Sequence, residues 1–229
     1  MGLTQGHRYL EIGVEKGETF QAVSAPSKVA VDPKFKFDSH SEPFSDPGSS
    51  YHEITSDHYF AQSSAAEQFD LIFLDGLHEY EQTYRDFTSS LARLSPGGII
   101  VLDDTFPNDV FSSHRSHAIL NSLRDAFGPS NTGWHGDVYK ALAFVAVFHP
   151  DINYCSLAGR GVKSQTFLWR KDQAKTVTGR PSPTLYQNQI SNMHQLHYLW
   201  LLENFAMLNV VKDLDAALGF IEQTKEKFS

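Results

Sequence analysis

With 229 residues, 41% of them hydrophobic and 20% charged, the chain has the profile of a soluble globular domain with room for one ordinary core. A formal net charge of −8 argues against a broad nucleic-acid footprint, which needs a basic face. No apolar run is long enough for a membrane helix, no signal peptide opens the chain, and the single Cys155 cannot form an internal disulfide, so a cytoplasmic location is expected.

In chain order, Arg8 to Ile12 reads as a short strand, and Gly13 to Gly17 as a glycine-punctuated turn. Glu18 to Ser24 reads as a brief helix and Lys28 to Val31 as a second strand ending at Asp32. Residues 33–52, rich in Pro, Ser, Asp and His, read as a long loop and a candidate lid. The apolar run 69–75 predicts a strand buried on both faces. Tyr80, Tyr84, Phe87, Leu91 and Leu94 then repeat at helical period until Ser95-Pro96-Gly97-Gly98 stops them. Ile99 to Leu102 predicts another buried strand, ending in Asp103-Asp104. Ile119, Leu120, Leu123 and Phe127 mark a further helix, and Val138 to Phe148 another. Ile152 to Leu157 and Gln165 to Trp169 read as two late strands joined by a Gly-rich connection. Residues 171–189 form a polar, Pro-containing linker. It leads to Met193–Val210, read as one helix apolar nearly all round, either packed into the domain or buried in a partner subunit. Leu214, Ala217, Leu218 and Ile221 form the last stripe.

Alternating strands and helices imply βαβ units and a mostly parallel α/β sheet, which binds ligands outside the carboxyl ends of its strands. The first strand delivers Glu11, Gly13 and Gly17 there, where glycines let backbone N–H groups approach a ligand beside a helix N-terminus. The second delivers Asp32, placed to accept hydrogen bonds from a ribose diol. Glu15 stands where the dinucleotide fingerprint needs glycine, which disfavours a dinucleotide-dependent oxidoreductase.

The run Tyr-Leu-Glu11-Ile-Gly13-Val-Glu-Lys-Gly17, followed by Val-Ala-Val-Asp32, resembles the signature of the class I S-adenosylmethionine-dependent methyltransferases. The resemblance implies a Rossmann-like, doubly wound, mostly parallel seven-stranded sheet over residues 1–170, with a C-terminal helical extension over 171–229 for packing or dimerisation. It implies that Glu11, Gly13, Gly17 and Asp32 bind the cofactor, and Thr55-Ser56-Asp57 resembles the stretch beside the adenine. Ser56 or Asp57 reads equally well as a helix N-cap. Asp75-Gly76-Leu77-His78 and Asp103-Asp104 resemble a branch with an Asp-Gly-x-His motif, some members of which are metal-dependent O-methyltransferases. That likeness implies Asp75, Asp103 and Asp104 as ligands of a divalent cation such as Mg²⁺, Asp75 also bordering the cofactor, and His78 as general base. Gly136-Asp137-Val-Tyr139-Lys140 also resembles an element of that branch, with no chemical role assigned.

Elementary chemistry agrees with a cation there. Three carboxylates at adjacent strand ends repel one another unless a cation or protons neutralise them. Oxygen donors suit a hard ion, and an imidazole titrating near pH 6.5 can take a hydroxyl proton. Acids at strand ends also cap helices, and His78 could equally be a hydrogen-bonding residue at a helix start. His114 with His117, and His194 with His197, lack an acidic or Cys partner at metal-ligand spacing and read as surface or packing residues. Trp134 and His135 read as packed aromatics or pocket lining. The expected activity is methyl transfer to a hydroxyl of a small molecule such as a sugar or natural product, by a homo-oligomeric enzyme of the EC 2.1.1 class. The alternatives are a metal-independent N- or O-methyltransferase and a non-catalytic cofactor-binding partner subunit.

Overall fold

The computed structural model describes residues 6–64, 66–128, 133–158, 164–172 and 187–225. Most of the expected Gly-rich connection and of the polar linker lies outside the described residues.

The strands are β1 (Arg8–Ile12), β2 (Ser27–Val31), β3 (Ser49–His52), β4 (Phe69–Leu74), β5 (Leu94–Leu102), β6 (Ile152–Leu157) and β7 (Gln165–Arg170). Among the described residues the helices are α1 (Glu18–Ala22), α2 (Ser56–Gln62), α3 (Tyr80–Leu91), α4 (His117–Phe127), α5 (Tyr139–Phe148), α6 (Tyr198–Glu203) and α7 (Leu214–Thr224). The strands form one seven-stranded sheet in the order β3-β2-β1-β4-β5-β7-β6. β1 to β5 run parallel, and β7 is antiparallel to both β5 and β6. This is the Rossmann-like, mostly parallel seven-stranded sheet expected from the sequence.

Alternation along each strand divides the core between the two sheet faces. Leu10, Ile12, Ile72, Leu74, Ile100 and Leu102 meet Phe87 of α3, Leu142 of α5 and the C-terminal segment. Tyr9, Phe73, Val101 and Trp169 meet Phe20 of α1 and Ala217 and Ile221 of α7. The chain order reverses between β1 and β4, so the loops after these two strands open a crevice at that point. None of the described helices is long and apolar enough to cross a membrane.

Three local expectations change. The expected loop 33–52 ends in a strand, Ser49–His52, which pairs in parallel with β2 and extends the sheet edge. Leu94 opens β5 rather than closing α3, because it pairs with Phe69 while Leu71 pairs with Ile99, leaving the Ser-Pro-Gly-Gly stretch as an irregularity within the strand. Met193–Val210 is not one helix. It is a 3₁₀ turn (Ile190–Gln195), α6 and a second 3₁₀ turn (Phe205–Leu208), separated by extended backbone at Leu196 and His197 and ended by left-handed Asn209. Each turn sends different side chains inward: Met193, then Trp200 and Leu201, then Met207 and Leu208. The segment is apolar on every side because it changes direction, not because a cylinder is buried all round. It packs into the chain's own core and bridges Val210 to Ser156 at the β6 edge.

Candidate active site

The turn after β1 is held by its backbone. Gly13 (φ +85°) donates its N–H to Val31 O, and Gly17 (φ +78°) donates to Val14 O at the start of α1. A Cβ on Gly13 would lie 1.9 Å from the Asp75 carbonyl oxygen, so the turn abuts the end of β4 in a way that only glycine permits. Asp32 Oδ2 accepts the N–H groups of Val14 and Glu15, and Oδ1 accepts that of Lys34. An ionised carboxylate offers about four acceptor sites, so Asp32 retains capacity for a ligand hydroxyl after tying the turn to β2. Glu11 lies beneath the turn, 1% exposed, with the Tyr9 hydroxyl donating to its carboxyl at 2.5 Å. Burial pushes Glu11 up to about 8, against the lowering effect of that hydrogen bond.

After β3, α2 begins at Ser56, capped by Thr55, whose hydroxyl accepts the His58 N–H. The N-cap alternative therefore falls to Thr55. The Gln82 amide nitrogen contacts Ser56 Oγ, Asp57 Oδ1 and Asp86 Oδ1 at 3.2, 3.2 and 3.0 Å, joining α2 to α3. Asp86 is raised to about 6 by burial, and with Asp75, Gly76, His78, Thr83 and Asp103 it walls a cavity of about 10 Å³. That is room for about one water.

The ends of β4 and β5 bring Asp75, His78 and Asp104 together, with their ligand-capable atoms within 4.8 Å of one another. His78 Nε2 lies 3.3 Å from Asp75 Oδ1 and 3.3 Å from Asp104 Oδ2. Its Nδ1 lies 2.7 Å from the Trp134 carbonyl oxygen, which can only accept, so Nδ1 carries a proton and Nε2 faces the carboxylates. Burial would lower the His78 pKa, but the hydrogen bond to Asp75 and the charges of Asp104 and Asp75 leave it above its ordinary value. Asp104 has left-handed backbone (φ +58°) and donates its N–H to Asp103 Oδ1. That turn separates the two neighbouring acids: Asp104 joins the His78 group, while Asp103, 6% exposed, lies outside the three-residue group. Of the three expected ligands, Asp75 and Asp104 are thus brought together, with His78 in place of Asp103.

His135 lies against this group, although its sequence context marks it only as a packed aromatic or pocket lining. Its Nε2 lies 3.5 Å from Asp104 Oδ1, and burial followed by the nearby His78 charge lowers it to about 4. The Trp134 ring lies 4.7 Å from the His78 ring.

A protein-family profile described as a methyltransferase domain matches residues 10–105, a span that begins in β1 and ends just past Asp104. No curated protein matches the sequence significantly. Among solved structures, an S-adenosylhomocysteine-bound methyltransferase from Podospora anserina is similar, with TM-score 0.52, 18% identity and 73% of each chain covered. A putative O-methyltransferase from Klebsiella pneumoniae aligns with TM-score 0.48 and 17% identity over 74% of this chain and 75% of its own. An S-adenosylhomocysteine complex of the Bacillus cereus O-methyltransferase aligns with TM-score 0.46 and 14% identity over 72% and 74%. The methyltransferase-domain match thus covers residues 10–105, and the structural likeness shows a Rossmann-like methyltransferase fold.

Proposed function

We propose that the chain transfers a methyl group from S-adenosylmethionine to a hydroxyl oxygen of a small molecule, such as a sugar or natural product. One observation carries this reading. The glycine turn and the proton-accepting group share an edge, because Gly13 abuts the backbone of Asp75, whose side chain faces His78. The Gly13–Gly17 turn and Asp32 would hold the cofactor, with Ser56 and Asp57 toward its base and Asp75 at its border, while Glu11 supports the turn from below. Bound there, the cofactor supplies an electrophilic methyl sulfonium. His78, in its neutral form, would take the hydroxyl proton at Nε2, and Asp75 and Asp104, each 3.3 Å from that atom, would stabilise the resulting imidazolium. Transfer is an in-line displacement, so the chain contributes mainly by orientation.

The oxygen donors of Asp75 and Asp104 also fit a divalent cation such as Mg²⁺, which would polarise the acceptor oxygen. Asp103 would act from behind, through the Asp104 N–H that it accepts. Exposed Leu199, Leu202 and Phe205 along the C-terminal segment support a homo-oligomer, which light scattering measures directly.

Isothermal titration with S-adenosylmethionine, followed by label transfer from methyl-labelled cofactor to a panel of hydroxylated small molecules, tests the reading. No binding at millimolar cofactor would sink it. EDTA is expected to abolish transfer and added Mg²⁺ to restore it; transfer indifferent to chelator removes the cation from the mechanism.

A further inference from the structure

The element Gly136–Lys140 closes around His78. Trp134, just before it, accepts the Nδ1–H of His78 on its carbonyl and lays its ring against the imidazole. Gly136 has φ +59°, and a Cβ there would lie 1.9 Å from the His78 carbonyl oxygen. Asp137 donates its N–H to that same carbonyl at 3.3 Å. The Asp137 Oδ1 accepts the Tyr80 N–H, a free donor in the first turn of α3, two residues beyond His78. His78 is thus gripped at its ring, at its own carbonyl and at the helix that follows.

Asp137 is itself fixed. Its side chain is 2% exposed and its Oδ2 lies 3.0 Å from Lys140 Nζ, which is 4% exposed. Arg115 lies 3.7 Å from the same oxygen and pairs with Glu79 and Glu81 at 2.7 and 2.9 Å, on either side of Tyr80. A buried ion pair adds little net stability over an apolar pair of similar volume, but it holds one geometry firmly. The position of this one, against the loop that carries His78, gives it a job.

We infer that Asp137, held by Lys140 and carried on Gly136, is the positioning residue that locks the His78 ring with Nδ1–H on Trp134 and Nε2 toward Asp75 and Asp104. The inference rests on the reading of His78 as proton acceptor, but its test does not need turnover.

The test is the ring ¹⁵N–¹H spectrum of histidine-labelled protein, assigned with a His78→Gln control and run beside calorimetry with S-adenosylmethionine. In the native chain the His78 Nδ1–H resonance is expected to persist, protected from solvent exchange. Gly136→Ala leaves every charge in place and is expected to abolish that resonance. The double variant Asp137→Leu with Lys140→Met removes both charges of the pair and the acceptor for the Tyr80 N–H, and is expected to do the same. Asp137→Asn with Lys140→Met restores an acceptor and is expected to restore the resonance. In all of them cofactor affinity should stay within about threefold of native, which separates loss of aim from loss of fold. A protected Nδ1–H in both Gly136→Ala and the Leu–Met variant overturns the inference, and so does cofactor affinity that collapses together with the resonance. A native chain that binds no cofactor but loses the resonance in Gly136→Ala would sink the methyl-transfer reading and leave the positioning intact.

Discussion

Asp103 and Asp104 are neighbours of identical chemistry with opposite surroundings, and a single backbone angle separates them. The left-handed conformation at Asp104 costs on the order of 1 kcal/mol for a residue other than glycine. Asp103 offsets part of that cost by accepting the Asp104 N–H. Asp104→Gly should therefore leave stability nearly unchanged while weakening the His78 group; denaturant melts and the His78 ring spectrum would show the two effects apart. Glu11 gives a signed pH prediction. Its folded value of about 8 lies above the ordinary 4.5, so the fold keeps a proton that the unfolded chain releases. Its contribution is full below about pH 4.5, falls as pH rises toward 8, and is flat beyond. Thermal melts from pH 5 to 9 should decline in the native chain and flatten in Glu11→Gln. The difference should amount to a few kcal/mol at most, because a tenfold change in proton affinity is worth about 1.4 kcal/mol. A parallel decline in both proteins would remove Glu11 as the cause. Gly13→Ala should cost at least about 2 kcal/mol, because a side chain meets the Asp75 carbonyl and φ is positive; an unchanged denaturation midpoint contradicts that.

The elements show what the sequence makes readable. The order β1, glycine turn, α1, β2 and Asp32 is legible because each signal is local: apolar runs, punctuating glycines and a terminal acid within 25 residues of Arg8. The divergence of Asp103 and Asp104 is not, since a dihedral angle decides it and both residues read alike. The roles of His135 and of the Gly136–Lys140 element escape for another reason: their partners lie far away in the chain, His78 and Trp134 being 56 positions apart. The 190–208 segment misleads because hydropathy without direction looks the same in one helix as in three short turns. Its packing makes a prediction at this scale. A chain ending at Gln189 would lose Trp200, Leu201, Met207 and Leu208 from the core and the Tyr154 hydroxyl bond to the Met207 carbonyl. Large apolar losses of this kind cost several kcal/mol each, together more than a typical domain's whole stability, so the truncated chain should lack a cooperative thermal transition by circular dichroism. A cooperative melt near the native one would show that the segment is an accessory.

On the scale of the whole molecule, the sheet order places the two halves of the site in different parts of the synthesis. The acid surplus that first spoke against nucleic acid is partly concentrated on one rim, where Asp32, Asp75 and Asp104 end adjacent or nearly adjacent strands. β1 and β2 can pair as soon as they are made, but the rim is incomplete until β4 docks beside β1 and β5 beside β4. The hold on His78 comes later still, with Trp134 to Lys140. In a chain that emerges from its N-terminus, the strands of the rim are therefore made before the residues that fix the His78 ring. A chain cut before residue 190 would carry every strand of the rim and still lack the core that keeps those strands in place.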